Sequence, residues 1–262
     1  MLNDPRSVMS IAVMFWRMVW RAMARMPLLF ATGLAAVLAI QLASRMAGFE
    51  PWRAPPTPLL LLLGGLASIG STLVMAPTLI AMHRFVLLGE ATKRAVWRIT
   101  AGYWRFVGWQ LLVNFLSLLP ILLFASIGWK NWAVTGALTS VCFAVVVVFD
   151  FRVLLLFPAI AIGTPFAAWR NAWRDSRGHF WRLSGTTLLA TLPFFVVSIT
   201  GTLLLRFGYL GNWPGGPLLP SLGSALISVS QVCANAAVAS RFFQIYANAL
   251  AGPAGSAAPA TS

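Results

Sequence analysis

Between Met26 and Ser44 the chain carries no charge, and neither do the runs Ala54 to Met82, Phe106 to Trp129, Trp132 to Phe149 and Ser184 to Leu205. At 1.5 Å per residue, about 20 such residues in a helix cross a ~30 Å hydrocarbon layer. A sixth apolar run, 221–246, is interrupted only by Arg241. These runs predict an all-α, polytopic membrane helical bundle. Its six transmembrane helices would lie at about 26–44, 59–82, 106–129, 132–157, 184–205 and 221–246, paired as three hairpins. Composition closes off the soluble alternative. Charged residues make up 9% of the chain and hydrophobic ones 59%, against roughly 25% charged in soluble domains. So few charges could not cover a water-facing surface. One membrane domain, 1–250, is expected, followed by a disordered Gly/Ala/Pro/Ser tail at 251–262.

The charges that exist are sorted by side. Of 19 Lys+Arg, fifteen fall on the side of the N-terminus in a six-span map, leaving Arg45, Arg53, Lys130 and Arg206 opposite. Short loops rich in Lys and Arg stay in the cytoplasm, so both termini are expected there. The net charge of +14 could indicate nucleic acid. The Arg residues flank apolar spans beside Trp, however, so membrane lipids with anionic headgroups are the expected partners, and nucleic acid is not. Four Arg precede the first apolar run, which is unlike a cleavable signal. Cys142 and Cys233 lie in apolar stretches and are read as small buried hydrophobes.

Three basic, Trp-rich stretches precede the odd-numbered spans. In 5–25, Arg6, Ser10, Arg17, Arg21 and Arg25 share one arc of a helix, with Val8, Ile11, Phe15, Val19 and Met23 opposite. Such a helix is expected to lie in the interface, its apolar face among acyl chains. A second is expected at 91–105 and a third after Pro165, with Thr164 as its N-cap. On the third, Arg170, Asn171, Arg174, Asp175 and Arg182 would form the wet face. Trp16-Arg17, Trp97-Arg98 and Trp173-Arg174 would be the interfacial anchors. His83-Arg84-Phe85, Phe151-Arg152-Val153 and Ser240-Arg241-Phe242 close the even spans. Surface helix plus hairpin, used three times, would set the three closing Arg at one depth.

APTLIAMHRFVLLGE at 76–90, RVLLLFPAIAIG from Arg152 and AWRNAWRDSRGHFWRL at 168–183 resemble a superfamily of uncharacterised bacterial inner-membrane proteins. That superfamily includes the membrane domain attached to some glycerophosphodiester phosphodiesterases. The likeness runs from about residue 10 to 248. It implies a six-span bundle in the bacterial cytoplasmic membrane. No soluble phosphodiesterase domain and no carboxylate-rich metal site is legible in this sequence, so no catalytic residue carries over.

Ionisable residues near a span are costly and often functional. Asp150 and Arg152 are two apart and cannot face each other on a helix, so Asp150 is expected to pair with Arg84 or Arg241. Arg84, Arg152 and Arg241, tempered by Glu90 and Asp150, would form an anionic-lipid or ion-pair cluster, since Arg binds phosphate bidentately. His83 and His179 would be interfacial hydrogen-bonders. Gln110, Asn114, Gln231 and Asn235 would join helices or line a polar path. No P-loop, GxSxG, HExxH or strand-borne GxGxxG is present, so no catalytic, metal or cofactor residue is expected. The chain reads as a non-enzymatic scaffold, regulator or lipid-handling component. A secondary transporter using helices broken near Pro77, Pro120 and Pro158 is the first alternative. An enzyme acting on lipid phosphates is the second.

Overall fold

In a computed structural model, the structure describes residues 5–46, 58–91, 100–127, 132–206 and 218–252. These are all-α, with helices α1 (Pro5–Arg25), α2 (Pro27–Met46), α3 (Pro58–Leu88), α4 (Ala101–Ile127), α5 (Trp132–Val153), α6 (Leu156–Ile162), α7 (Trp169–Asp175), α8 (Phe180–Arg206) and α9 (Leu218–Tyr246). Among the described residues, six segments are long and apolar enough to cross a membrane: α2, α3, α4, α5 continued through α6, α8 and α9. The protein is a multi-pass membrane protein. Most of these helices outrun their charge-free stretches; α3 continues through His83 and Arg84 to Leu88. A charge-free run measures hydrocarbon depth, and a helix can carry on into water or protein beyond it.

Proline shapes three of the helices. Pro27 opens α2, where a missing N–H costs nothing. Pro158 cannot donate, and its ring opposes the carbonyl four residues back. The helix duly breaks at Leu154-Leu155 and resumes as α6. Pro77 sits inside α3 and frees the carbonyl of Leu73. The Tyr103 hydroxyl of α4 donates to that oxygen at 3.0 Å, which is how a bundle tolerates an internal proline. Tyr103→Phe is therefore expected to cost about 1 kcal/mol. The cost should shrink in a Pro77→Ala background, where position 77 regains its N–H. Thermal unfolding of the two single variants and the double variant in detergent checks this, and additive losses would refute it.

α9 is the centre. Cys233, Ala234, Ala236, Ala237, Val238, Ala239 and Ser240 are all buried, and α1, α2, α3, α6 and α8 pack around this helix. Lipid tails are as apolar as leucine, so helices associate through close packing, which small residues permit. α3 meets α9 where both near their C-terminal ends. There Ser240 Oγ donates to the Ala236 carbonyl at 2.8 Å and lies 2.7 Å from His83 Nδ1. The hydroxyl thus links the two helices through the His83 ring. Gly33 plays a similar part between α2 and α3, because a Cβ there would stand 3.1 Å from Thr78 Oγ1.

The packed core lies at one end, the end that carries most of the Arg. Phe106, Met26, Met82, Leu155, Leu156, Leu183 and Leu250 are among the largest fully buried side chains. Toward the opposite end Leu62, Leu66, Ile69, Phe115, Ile121, Val134, Leu138, Ile199 and Leu203 are exposed. Apolar surface so extensive marks a hydrocarbon-facing wall.

Several expectations change. From Phe15 on, the apolar side of α1 turns to protein: Phe15, Val19 and Ala22 are buried, and α1 packs on α8 and α9, while the side chains of Val8 and Ile11 lie outside the described ones. The second basic stretch lies outside the described residues at 92–99, Trp97 and Arg98 included, and 101–105 belongs to α4. Thr164 closes α6 instead of opening α7. Its N–H donates to the Ala159 carbonyl at 3.0 Å, while α7 starts after Ala168 with no side-chain cap. Gly252, expected in the loose tail, is buried.

Candidate functional site

Of the charged cluster, the structure joins one pair. Arg84 Nε donates to Glu90 Oε2 at 2.9 Å, with Nη2 at 2.7 Å from the same oxygen. Its Nη1 donates to the Ala161 carbonyl at 3.3 Å. This is the last turn of α6, where unpaired carbonyls favour a cation. Arg84 thus ties α3 to α6. Asp150 takes neither Arg84 nor Arg241 as its hydrogen-bond partner. Its Oδ2 accepts from Ser117 Oγ of α4 at 3.4 Å, and its buried Oδ1 has no hydrogen-bond partner.

Arg152 and Arg241 go separate ways. The Arg152 guanidinium lies over the Trp173 ring, 5.3 Å from its centroid. Its buried Nε and Nη1 lack hydrogen-bond partners, so the aromatic face is its main counterpart. Arg241 donates to Gln244 Oε1 at 2.7 Å and approaches Met14 Sδ of α1 at 3.7 Å. The bonds of these Arg residues therefore run to different elements. Each fastens a different part of the basic end: α6 to α3, α5 to α7, and α1 to α9.

Of the polar residues expected within spans, Asn114 joins two helices. Asn114 Nδ2 donates to Thr72 Oγ1 at 2.8 Å across α3 and α4, and Gln110 Nε2 donates to Asn114 Oδ1 at 3.5 Å. Asn235 Oδ1 is buried without a hydrogen-bond partner.

A polar cavity of about 640 Å³ opens at the basic end. Its walls are α7, the turn after it and the segment that follows α9, with Arg174, Arg177, His179, Tyr246 and Asn248 among the lining residues. Asp175, expected on the wet face, is a buried residue of its lining. Its two carboxylate oxygens accept the backbone N–H groups of Ala249 and Leu250, each at 2.9 Å. A buried carboxylate needs such donors, and two oxygens matched to two amides satisfy it. His179 stacks on Tyr246 with ring centroids 4.1 Å apart. Gly252 adopts φ +77°, and a Cβ there would fall on the Phe166 ring. Asn171 Nδ2 holds the Phe166 carbonyl at 2.9 Å, and Arg105 holds that of Ala167 at 2.7 Å.

No known protein family, curated protein or solved structure matches this chain.

Of the three anchor pairs, Trp97-Arg98 lies outside the described residues. Trp16 is half-buried and stacks on Phe194 of α8 at 4.6 Å, while Arg17 is exposed. Trp173 and Arg174 are both exposed. Among the described residues, the most exposed indoles are Trp181 at 82%, Trp20 at 67% and Trp104 at 56%. Each is followed directly by Arg, as are eight of the twelve Trp in the chain. That dipeptide is the signal by which these three could have been found. Seven of the eight lie on the basic side, with Trp52-Arg53 the exception.

Proposed function

We propose that this protein is a non-catalytic, multi-pass component of the bacterial cytoplasmic membrane that holds anionic lipid headgroups at its basic, cytoplasmic end. It acts as a scaffold or lipid-handling element, related to the uncharacterised inner-membrane proteins that its sequence resembles. The observation that carries the reading is the row of Trp-Arg pairs on α1, on the start of α4, on α7 and on the start of α8. Indoles settle at headgroup level, and Arg beside them meets phosphate through a planar fork. The hydrogen bond from Asn114 to Thr72 of the neighbouring helix supports packing over transport.

Each Lys or Arg near an anionic surface contributes about 1 kcal/mol. Arg17, Arg21 and Arg170 are exposed, so the triple change to Gln is expected to leave the fold intact. It should lower retention of phosphatidylglycerol and cardiolipin relative to phosphatidylethanolamine by at least about tenfold. Mass spectrometry of lipids retained after mild detergent extraction reads this ratio. An unchanged ratio removes the proposal.

A further inference from the structure

The cavity beside α7 has a composition that a diffuse lipid-facing surface does not need. Two guanidinium groups, Arg174 and Arg177, and two side-chain amides, Asn171 and Asn248, line it together with His179. Asp175 is the acid among the lining residues, and both its oxygens are occupied by backbone amides. Each guanidinium offers five N–H donors and no acceptor, so the wall is rich in donors and positive. A carboxylate presents two oxygens, whereas a terminal phosphate presents three with greater charge, and matches paired guanidiniums better. The stacked His179–Tyr246 pair forms a flat side. The volume falls within the roughly 300–1,000 Å³ of ligand sites.

The floor is built to hold its shape. Residues after α9 are fixed by Asp175 through two amides and by Gly252 against Phe166. Asn171 and Arg105 fix the opposing loop through the Phe166 and Ala167 carbonyls. A donor-rich recess on a fixed floor is pre-organised, which lowers the ordering cost of binding.

We infer that this cavity is a stoichiometric site for a phosphate-bearing group, held by Arg174 and Arg177 with Asn248 at the rim. The group is either the headgroup of a phospholipid with a terminal phosphate or a soluble phosphate compound. The lipid source rests on the reading given under Proposed function; the soluble source does not.

The test uses the purified full chain in neutral detergent. Inorganic phosphate is titrated at constant ionic strength against chloride while the unfolding midpoint is followed. In parallel, the chain is placed in phosphatidylcholine nanodiscs doped with phosphatidate, and the bound phosphatidate is counted. Three variants accompany the wild type. Arg174→Gln/Arg177→Gln removes the charge, Asn248→Asp adds a repelling one, and Arg17→Gln/Arg21→Gln/Arg170→Gln alters only the outer surface. All the altered residues are exposed, so each variant should fold.

The expected result is a saturable response to at least one probe in the wild type, as binding to the folded state requires; the outer-surface variant should keep that saturable part and lose only the non-saturable phosphatidate, in line with the lipid loss given under Proposed function. Both cavity variants should lose the saturable response. Loss of phosphatidate from the cavity variants assigns the lipid source. A phosphate response lost with phosphatidate unchanged assigns the soluble source. If neither probe separates the wild type from the cavity variants, the site does not exist, whatever the outer-surface variant shows for general lipid binding.

Discussion

Asp175→Asn is expected to release the segment after α9 from the basic end. The carboxylate accepts two backbone N–H groups at 2.9 Å. The amide has one acceptor oxygen and would point its NH₂ at the other donor. Leaving a buried donor unsatisfied costs about 1–3 kcal/mol, and the donor–donor contact adds to that. The chain can avoid the cost by letting residues 247–252 undock, so the loss should be local. Hydrogen exchange at Ala249 and Leu250 should accelerate by about tenfold to a hundredfold, each factor of ten corresponding to about 1.4 kcal/mol. The global unfolding midpoint should move much less. Unchanged exchange at these two amides would show that the carboxylate does not secure the segment.

Phe106→Ala should have the largest effect on the bundle as a whole. Phe106 is 1% exposed. Its ring meets Phe157 of α6 edge-on at 5.2 Å and lies 5.9 Å from the His83 ring of α3. It thus joins three helices at the packed end. Large-to-small changes of a buried Phe cost about 3–5 kcal/mol. Phe115, on the same helix, is 59% exposed and faces the hydrocarbon side, so Phe115→Ala should stay within about 0.5 kcal/mol. Denaturant unfolding in mixed micelles gives both numbers. Equal losses would mean that the core is not concentrated at the basic end.

The six spans were legible because a charge in hydrocarbon is so costly that its absence over 20 residues is informative. Helix lengths were not, since α3 and α8 continue past their bounding charges into the packed end. Pro158 did announce the α5–α6 break, yet the apolar residues on both sides concealed it. The burial of α1 was hidden for a different reason. Phe15 and Val19 suit an acyl layer as well as a protein surface, so periodicity cannot tell which one covers them. Asp175 gave no signal at all: among Arg174, Arg177 and Arg182 it reads as a solvated charge, and only the fold brings the distant amides of Ala249 and Leu250 to it. The central place of α9 was written in composition rather than hydropathy, in the Cys-Ala-Asn-Ala-Ala-Val-Ala-Ser run from Cys233. Arg84, Arg152 and Arg241 were rightly placed near helix ends, but sequence spacing says nothing about the direction in which each side chain leaves its helix.

Because α9 lies between α1, α2, α3, α6 and α8, it is translated after every helix that it holds. Until it leaves the ribosome, those earlier segments surround a vacancy lined by residues meant to meet small side chains, with Ser240 not yet available to His83. Assembly of this protein is therefore completed late in biosynthesis.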